Sequence, residues 1–317
     1  MRSDPARGDI LAGDLTLKGC YEFCRQSQRS HSRTYYFSTQ LFPKDMRPHV
    51  HALYAFMRYA DEIVDSPGAL SPEEQLAGLA RFEADTIEAI TGEQVKNPIL
   101  RAFSNTVRAR NIDLGSIKAF MESMKMDTRI SRYETYEDLK VYTYGSAAVV
   151  GLMMCQVAGV RDDRAIPHAE ALGEAMQITN FLRDIREDWA RGRVYVPLED
   201  LRSFGYAEAD VADGIVDERF VELMKFEIER ARGLYAVADA GIQYIPKGRR
   251  YPVVVARELY SAILGKIEEQ DYDLYSKRAD TTRQEKIVMA LRCAARDPGE
   301  LVARTRGGKP EEIAIPS

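Results

Sequence analysis

The sequence predicts a single all-α domain, and three observations carry that prediction. Apolar residues recur at the three- and four-residue spacing of amphipathic helices along most of the chain, with cap and stop residues between the runs. No convincing set of alternating strands stands out, and no Gly-rich dinucleotide fingerprint. No linker-like stretch divides the 317 residues, a length that suits one large domain.

Each element has its own justification. Residues 1–15 are polar, lack the apolar core of a signal peptide in Met1 to Asp14, and read as a loose lead-in. A helix is expected over 17–28. Residues 32–42 mix aromatic and hydroxyl side chains, and Pro43 closes a turn. The next helix starts at Asp45 or Pro48, carries Val50, Leu53, Tyr54, Met57, Tyr59 and Ile63, and ends at Pro67-Gly68. Ser71-Pro72-Glu73-Glu74 opens another, with Pro72 at its first helical position. Helical patterns then run over 72–91, 98–110, 114–126, 135–158, 163–190, 217–244, 250–276 and 281–296. Residues 191–206 read as a loop with a short helix start, and the Gly-, Pro- and charge-rich tail 297–317 as a frayed end. The expected domain is therefore 16–296.

Composition narrows the function. A net charge of -5 and a pI near 5.6 give no broad basic face for nucleic acid. Four cysteines (Cys20, Cys24, Cys155 and Cys293) are too few for a disulfide framework in a chain of this size, and no Cys/His cluster completes a metal site, so reduced thiols in a cytoplasmic protein are expected. The longest apolar stretch, 147–155, falls far short of the ~20 residues a membrane span needs.

Two carboxylate pairs carry the chemistry. Asp61 and Asp65 lie four apart, and so do Asp184 and Asp188, about 120 residues later. Residues four apart share a helical face. Tyr54, Arg58, Asp61 and Asp65 make one stripe; Gln177, Asn180, Asp184 and Asp188 make the other. Like charges at this spacing destabilise an isolated helix, and the stripes mix in amide and phenol groups with apolar flanks. Two such stripes face to face would form a site for hard divalent cations, Mg2+ shared with substrate phosphates. Arg58, Arg183, Arg186, Arg191 and Arg193 lie alongside, and guanidinium groups bind phosphate oxygens. The implied chemistry is departure of diphosphate from an allylic carbon, leaving a cation that needs a dry pocket with aromatic faces. Tyr35, Tyr36, Phe37, Tyr54, Tyr142, Phe181 and Tyr195 are the aromatic candidates.

These segments resemble the squalene/phytoene synthases, prenyl transferases that join two chains head to head. The resemblance rests on HSRTYYFSTQLFP (31–43), LYAFMRYADEIVD (53–65), YTYGSAAVVGLMM (142–154), QITNFLRDIREDWARGRVYVP (177–197) and ARELYSAIL (256–264), and covers roughly 20–296. It implies the isoprenoid-synthase helical bundle around a central cavity. It also implies Asp61, Asp65, Asp184 and Asp188 as ligands of two or three Mg2+ ions, with Mn2+ an acceptable substitute. Ser32, Thr34, Tyr35 and Arg58 match positions near the first diphosphate. Tyr54, Tyr142, Gln177, Asn180 and Tyr195 match the cavity and catalytic face, and Arg183, Arg193 and Tyr260 the phosphate surroundings. Lys277 or Arg278 matches a basic residue closing over them, with the register open by one.

The resemblance is greatest to the bacterial phytoene synthase branch. It implies geranylgeranyl diphosphate as substrate, 15-cis-phytoene as product, a cyclopropylcarbinyl diphosphate on the way, and no NADPH. The terminal proton acceptor is Tyr142, Tyr195 or released diphosphate; the residues do not choose. Ser146 departs from the apolar residue other members often carry. The competing readings are a C15-using relative making squalene, dehydrosqualene or presqualene diphosphate, a terpene cyclase on the same scaffold, and a non-catalytic member that would have lost carboxylates. The basic-apolar run 247–255 motivates a peripheral membrane contact, against the reading of a loop entering a core helix. The sequence leaves the oligomeric state open.

Overall fold

The computed structural model describes residues 15–65 and 70–295. Helix boundaries in the first third follow local capping chemistry. Helix α1 (Leu17–His31) starts where the Thr16 hydroxyl accepts from the Gly19 N–H, and Ser32 caps the start of α2 (Arg33–Thr39) by accepting from the Tyr35 N–H. Most of the hydroxyl-rich 32–42 segment, residues 33–39, is thus itself helical, an element its composition does not announce. Helix α3 (Arg47–Val64) has Pro48 in its first turn. A capping box between Ser71 and Glu74 opens α4 (Pro72–Thr91). Asn97 caps α5 (Pro98–Arg110), and Asp113 caps α6 (Leu114–Met126). The Pro67-Gly68 stop, most of the lead-in and the tail lie outside the described residues.

The expected helix 135–158 is interrupted. Helix α7 (Tyr136–Thr143) passes into a π-helical turn (Tyr144–Ala148) and then α8 (Val149–Val157). Close packing accompanies the irregularity: a Cβ on Gly173 would sit 2.2 Å from the Ala147 carbonyl, and one on Gly151 2.2 Å from the Ala169 carbonyl. Only glycine lets the π turn and α8 come this near α9. The π turn carries Ser146 and widens the helix where it faces the cavity described below.

The 163–190 pattern resolves into a short 3₁₀ turn, α9 (Ile166–Arg183) and α10 (Ile185–Ala190). Asp184 sits at the break, yet its N–H still bonds the Asn180 carbonyl and its carbonyl accepts from the Asp188 N–H, so the second stripe stays in helical register. Helices α11 (Leu198–Ser203) and α12 (Glu208–Asp213) are short. Helix α13 (Glu218–Asp239) ends earlier than its pattern, in a 3₁₀ turn over Ala240–Tyr244. Helix α14 (Lys247–Glu269) also stops short of 276, and α15 (Arg283–Ala295) completes the set.

Helix α9 packs against α8, α13, α14 and the π turn, which makes it the axis of the bundle. One apolar core lies between α3, α5, α6 and α8, a second around α9, α13 and α14. Among the described residues the only β pairing is a single bridge, Arg132 to Val194. All four cysteines are free thiols. No described helix is long and apolar enough to cross a membrane. In the 247–255 run, Arg249 donates to the Ala158 carbonyl and Arg250 to the Ile245 and Gln243 carbonyls, while Val254 and Val255 are buried. That geometry is a helix start docked on protein.

Candidate active site

Two parallel stripes of side chains define a cleft. Helix α9 contributes His168, Ala169, Leu172, Gly173, Met176, Gln177 and Asn180, one face at helical spacing. The π turn and α8 contribute Ser146, Ala147, Val150, Gly151, Met154, Cys155 and Ala158. The empty space between them and their neighbours, the open mouth included, is about 1140 Å3. The stretch of α9 from His168 to Asn180 measures about 18 Å at the helical rise. The walls are mostly apolar. Two polar atoms in them, Ser146 Oγ and Asn180 Oδ1, are buried without a partner.

The aspartates lie just beyond Asn180. Asp65 caps the end of α3, and Asp188 is in α10. A single nitrogen, Arg191 Nη1, is 3.4 Å from Asp65 Oδ2 and 4.0 Å from Asp188 Oδ1, so one group touches both motifs. Arg193 Nη1 donates to Asp65 Oδ1 at 2.8 Å. Arg58 pairs with Asp61 at 2.5 Å and with Glu62 at 3.0 Å. Asp184 is held by Arg183 on its own helix and by Arg278 at 2.7 Å from the loop after α14. Of the two basic candidates after α14, Arg278 reaches the second motif, whereas Lys277 lends its carbonyl to Gln270. Arg186 ties the same loop down through the Tyr275 carbonyl.

The remaining candidates divide. Tyr35 lines the cleft and packs its ring against Tyr54 (6.1 Å) and Tyr260 (5.3 Å). Ser32 works as a helix cap, and Thr34 lies on α2 beside it. Tyr36 and Phe37 turn elsewhere: Tyr36 accepts from Arg25 and stacks on His51, and Phe37 packs against the Val254–Leu259 cluster. A seven-residue helix cannot present three consecutive rings to one side. Tyr142, Phe181 and Tyr195 form a stack, with Phe181 and Tyr195 4.1 Å apart and 11° from parallel. Sequence reasoning missed Asp127. It receives the Tyr142 hydroxyl at 2.7 Å and the Tyr195 hydroxyl at 3.1 Å. A lone aspartate at a helix end gives no signal of its own.

The profile of the squalene/phytoene synthase family matches residues 28–285. A phytoene synthase of Arthrospira platensis is 37% identical over 89% of this chain and 95% of its own. The chain belongs to the squalene/phytoene synthase family. The 15-cis-phytoene synthase of Synechocystis is 36% identical over 86% of this chain and 84% of its own. Among solved structures, a dehydrosqualene synthase in complex with ligand superposes with a TM-score of 0.81 at 26% identity, covering 88% of this chain and 96% of that one. The squalene synthase HpnC from Alicyclobacillus acidocaldarius gives 0.74 at 29% identity, over 83% and 99%. The fold is therefore the helical isoprenoid-synthase bundle, as expected. Squalene/phytoene synthases use prenyl diphosphates and depend on metal ions.

The aspartates of this squalene/phytoene synthase suit a hard cation. Among the described residues no three His, Cys, Asp or Glu side chains converge on one point. Mg2+ does not require that, since it is held by one or two carboxylates and completed by water and substrate phosphate. Crowding supplies the drive. Asp61 keeps 41% of its side-chain surface; desolvation of its carboxyl first, then the charge of Asp65, pushes it up to about 7. Burial and then Asp184 push Asp188 up to about 8. For Asp184 burial acts upward too, but Arg183 and Arg278 outweigh it and hold it below the usual carboxylate range.

A pH dependence follows. Asp61 and Asp188 have folded-state values above their ordinary 3.8. Their contribution to stability is complete below about 4 and is lost as pH rises through 7 to 8, where both ionise. A bound cation needs the ionised forms. The rise in Tm caused by Mg2+ is thus expected to be small at pH 6 and to grow towards pH 9. Asp188→Asn should flatten that trend; equal Mg2+ shifts at both pH values in the unmodified protein would contradict it.

Proposed function

We propose that this enzyme condenses two geranylgeranyl diphosphates head to head to 15-cis-phytoene through a cyclopropylcarbinyl diphosphate. The observation that carries this reading is the pairing of an apolar cleft along α9 with two aspartate motifs at its mouth that share Arg191, in a chain 36–37% identical to cyanobacterial phytoene synthases.

Asp61, Asp65, Asp184 and Asp188 hold the Mg2+ ions, two or three in number. Those ions, when bound, spread the charge of the departing diphosphate. The chain's own groups do the rest. Arg58, Arg183, Arg193 and Arg278 bind phosphate oxygens, exchanging carboxylate partners for substrate. Gln177 and Asn180 mark the border between the polar mouth and the apolar cleft. The cleft excludes water from the cation, and the Tyr142–Phe181–Tyr195 stack and the Tyr35–Tyr54–Tyr260 cluster offer it aromatic faces. Two diphosphates and two protons leave across the whole reaction. No hydride enters, so NADPH is not required.

The deciding assay offers purified enzyme C15 and C20 diphosphates with Mg2+, with and without NADPH, and identifies the hydrocarbons by chromatography. Phytoene from the C20 substrate without NADPH is the expected outcome. Squalene formed only with NADPH would replace it with the C15 reading. The product is almost insoluble in water, so transient contact with a bilayer surface belongs to this proposal. Liposome co-sedimentation with no bound fraction removes that part.

A further inference from the structure

Each half of the proposed reaction removes one proton from a carbon at the diphosphate end of a prenyl chain. The C–H bond breaks, and its electron pair closes the cyclopropane ring in the first half or the central double bond in the second. The proton acceptor must therefore lie beside the groups that bind diphosphate, not deep in the cleft. One recess is lined by Asp65, Asp127, Arg191 and Arg193. Above Asp127 stand the two phenols of the aromatic stack, each donating its hydroxyl proton to a different carboxylate oxygen. Asp127 sits at the end of α6, anchored by its N–H to the Ser123 carbonyl. Ser123 Oγ in turn donates to the Tyr142 carbonyl. The carboxylate and the phenol it faces are thus fixed on neighbouring helices.

A phenol alone is a poor acceptor here. Burial first, then the charge of Asp127, drives the Tyr142 and Tyr195 hydroxyls well above their usual range, so neither is available as phenolate. Because both hydroxyl protons point to Asp127, the phenol oxygens keep lone pairs for an incoming proton. We propose that Asp127 is a positioning residue and the final proton holder: a phenol oxygen takes the proton from carbon while its own proton passes to the Asp127 carboxylate. Charge balances in each half, since one cation is quenched and one carboxylate becomes neutral; the diphosphate released in the first half takes that proton from Asp127, so the carboxylate is free again for the second. This inference rests on the reaction proposed above.

The test compares Asp127→Asn, Asp127→Glu, Tyr142→Phe/Tyr195→Phe and the triple variant with unmodified enzyme, reading kcat, KM and products from C20 diphosphate. Asp127→Asn is expected to lower kcat by about 100-fold or more, the usual weight of a general base. KM should move by no more than about threefold, because the ground-state contacts remain. Asp127→Glu should recover at least about tenfold, on the same scale. In the Tyr142→Phe/Tyr195→Phe background, adding Asp127→Asn should cost nothing further, because the route to the carboxylate is already cut. Turnover of Asp127→Asn within a few-fold of the unmodified enzyme would overturn the proposal and leave released diphosphate as acceptor. An equal loss in the double-phenylalanine background would also overturn it, by showing a structural role. If Asp127→Asn fails to fold, the double-phenylalanine variant still decides: unchanged kcat there would rule out the relay. Failure of the reaction itself would show separately, in the products of the unmodified enzyme.

Discussion

Asp61→Asn and Asp184→Asn are each expected to lower turnover by at least about 100-fold, the scale seen when one group that stabilises developing charge is removed. Circular dichroism should remain that of the unmodified fold. The two variants separate in stability. Asp61 is crowded by Asp65, and its carboxyl is pushed up to about 7 by burial and that neighbour. A neutral amide removes the repulsion, so Asp61→Asn should raise the metal-free Tm at pH 8. Asp184 is ion-paired with Arg183 and Arg278 and held below the usual carboxylate range. Its amide loses those pairs, so Asp184→Asn should lower Tm. Equal activity of either variant and the unmodified enzyme would remove that aspartate from the mechanism. A Tm shift of the same sign in both would contradict the division between Asp61, whose crowding outweighs its pair with Arg58, and Asp184, whose pairs outweigh its burial.

Arg230→Met is expected to destabilise the fold by roughly 3–5 kcal/mol, the cost of leaving buried charge without its partner. Arg230 is 1% exposed in its side chain, and one nitrogen reaches both Asp200 and Glu227 at 2.7 Å. Its guanidinium also lies 4.1 Å from the Tyr136 ring centre and 4.7 Å from that of Phe226. Burial pushes the Glu227 carboxyl up against the pull of Arg230. Without the arginine, two carboxyls share an apolar pocket. A fall in Tm on the order of 10 °C should follow. Replacing all three charged groups by apolar residues of similar volume is expected to recover most of the loss, because the desolvation cost then disappears with the charges. A Tm within about 2 °C of the unmodified protein for Arg230→Met would show that the triad contributes little. The triad also has a positional consequence. Asp200 lies on α11, just after the segment whose Val194 and Leu198 N–H groups bond the Ser131 and Tyr133 carbonyls. That segment carries Arg193 to Asp65 and Tyr195 to Asp127.

Local chemistry was legible wherever it is written in consecutive residues. Ser71 to Glu74 start a helix because the Ser71 side chain satisfies an N–H group one turn ahead. The Asp61/Asp65 and Asp184/Asp188 spacing was legible because helical geometry converts sequence distance into a shared face. Arg278 was not separable from Lys277, since the loop after α14 follows no period. Asp127 was invisible for a related reason: its partners, Tyr142 and Tyr195, lie 15 and 68 residues away. Tyr36 and Phe37 looked equivalent to Tyr35 until α2 turned them to other sides.

The amino-acid sequence alone settled the helical class, the doubled acidic motif and the family, because each depends on short-range periodicity or on matching runs of residues. Tertiary packing decided which carboxylates crowd and which are paired, and where glycine lets α9 approach a π turn. It also decided that one aspartate far from either motif would hold two phenols. Those outcomes depend on distances between helices, and such distances are set by the summed fit of many side chains, which no single stretch of sequence encodes.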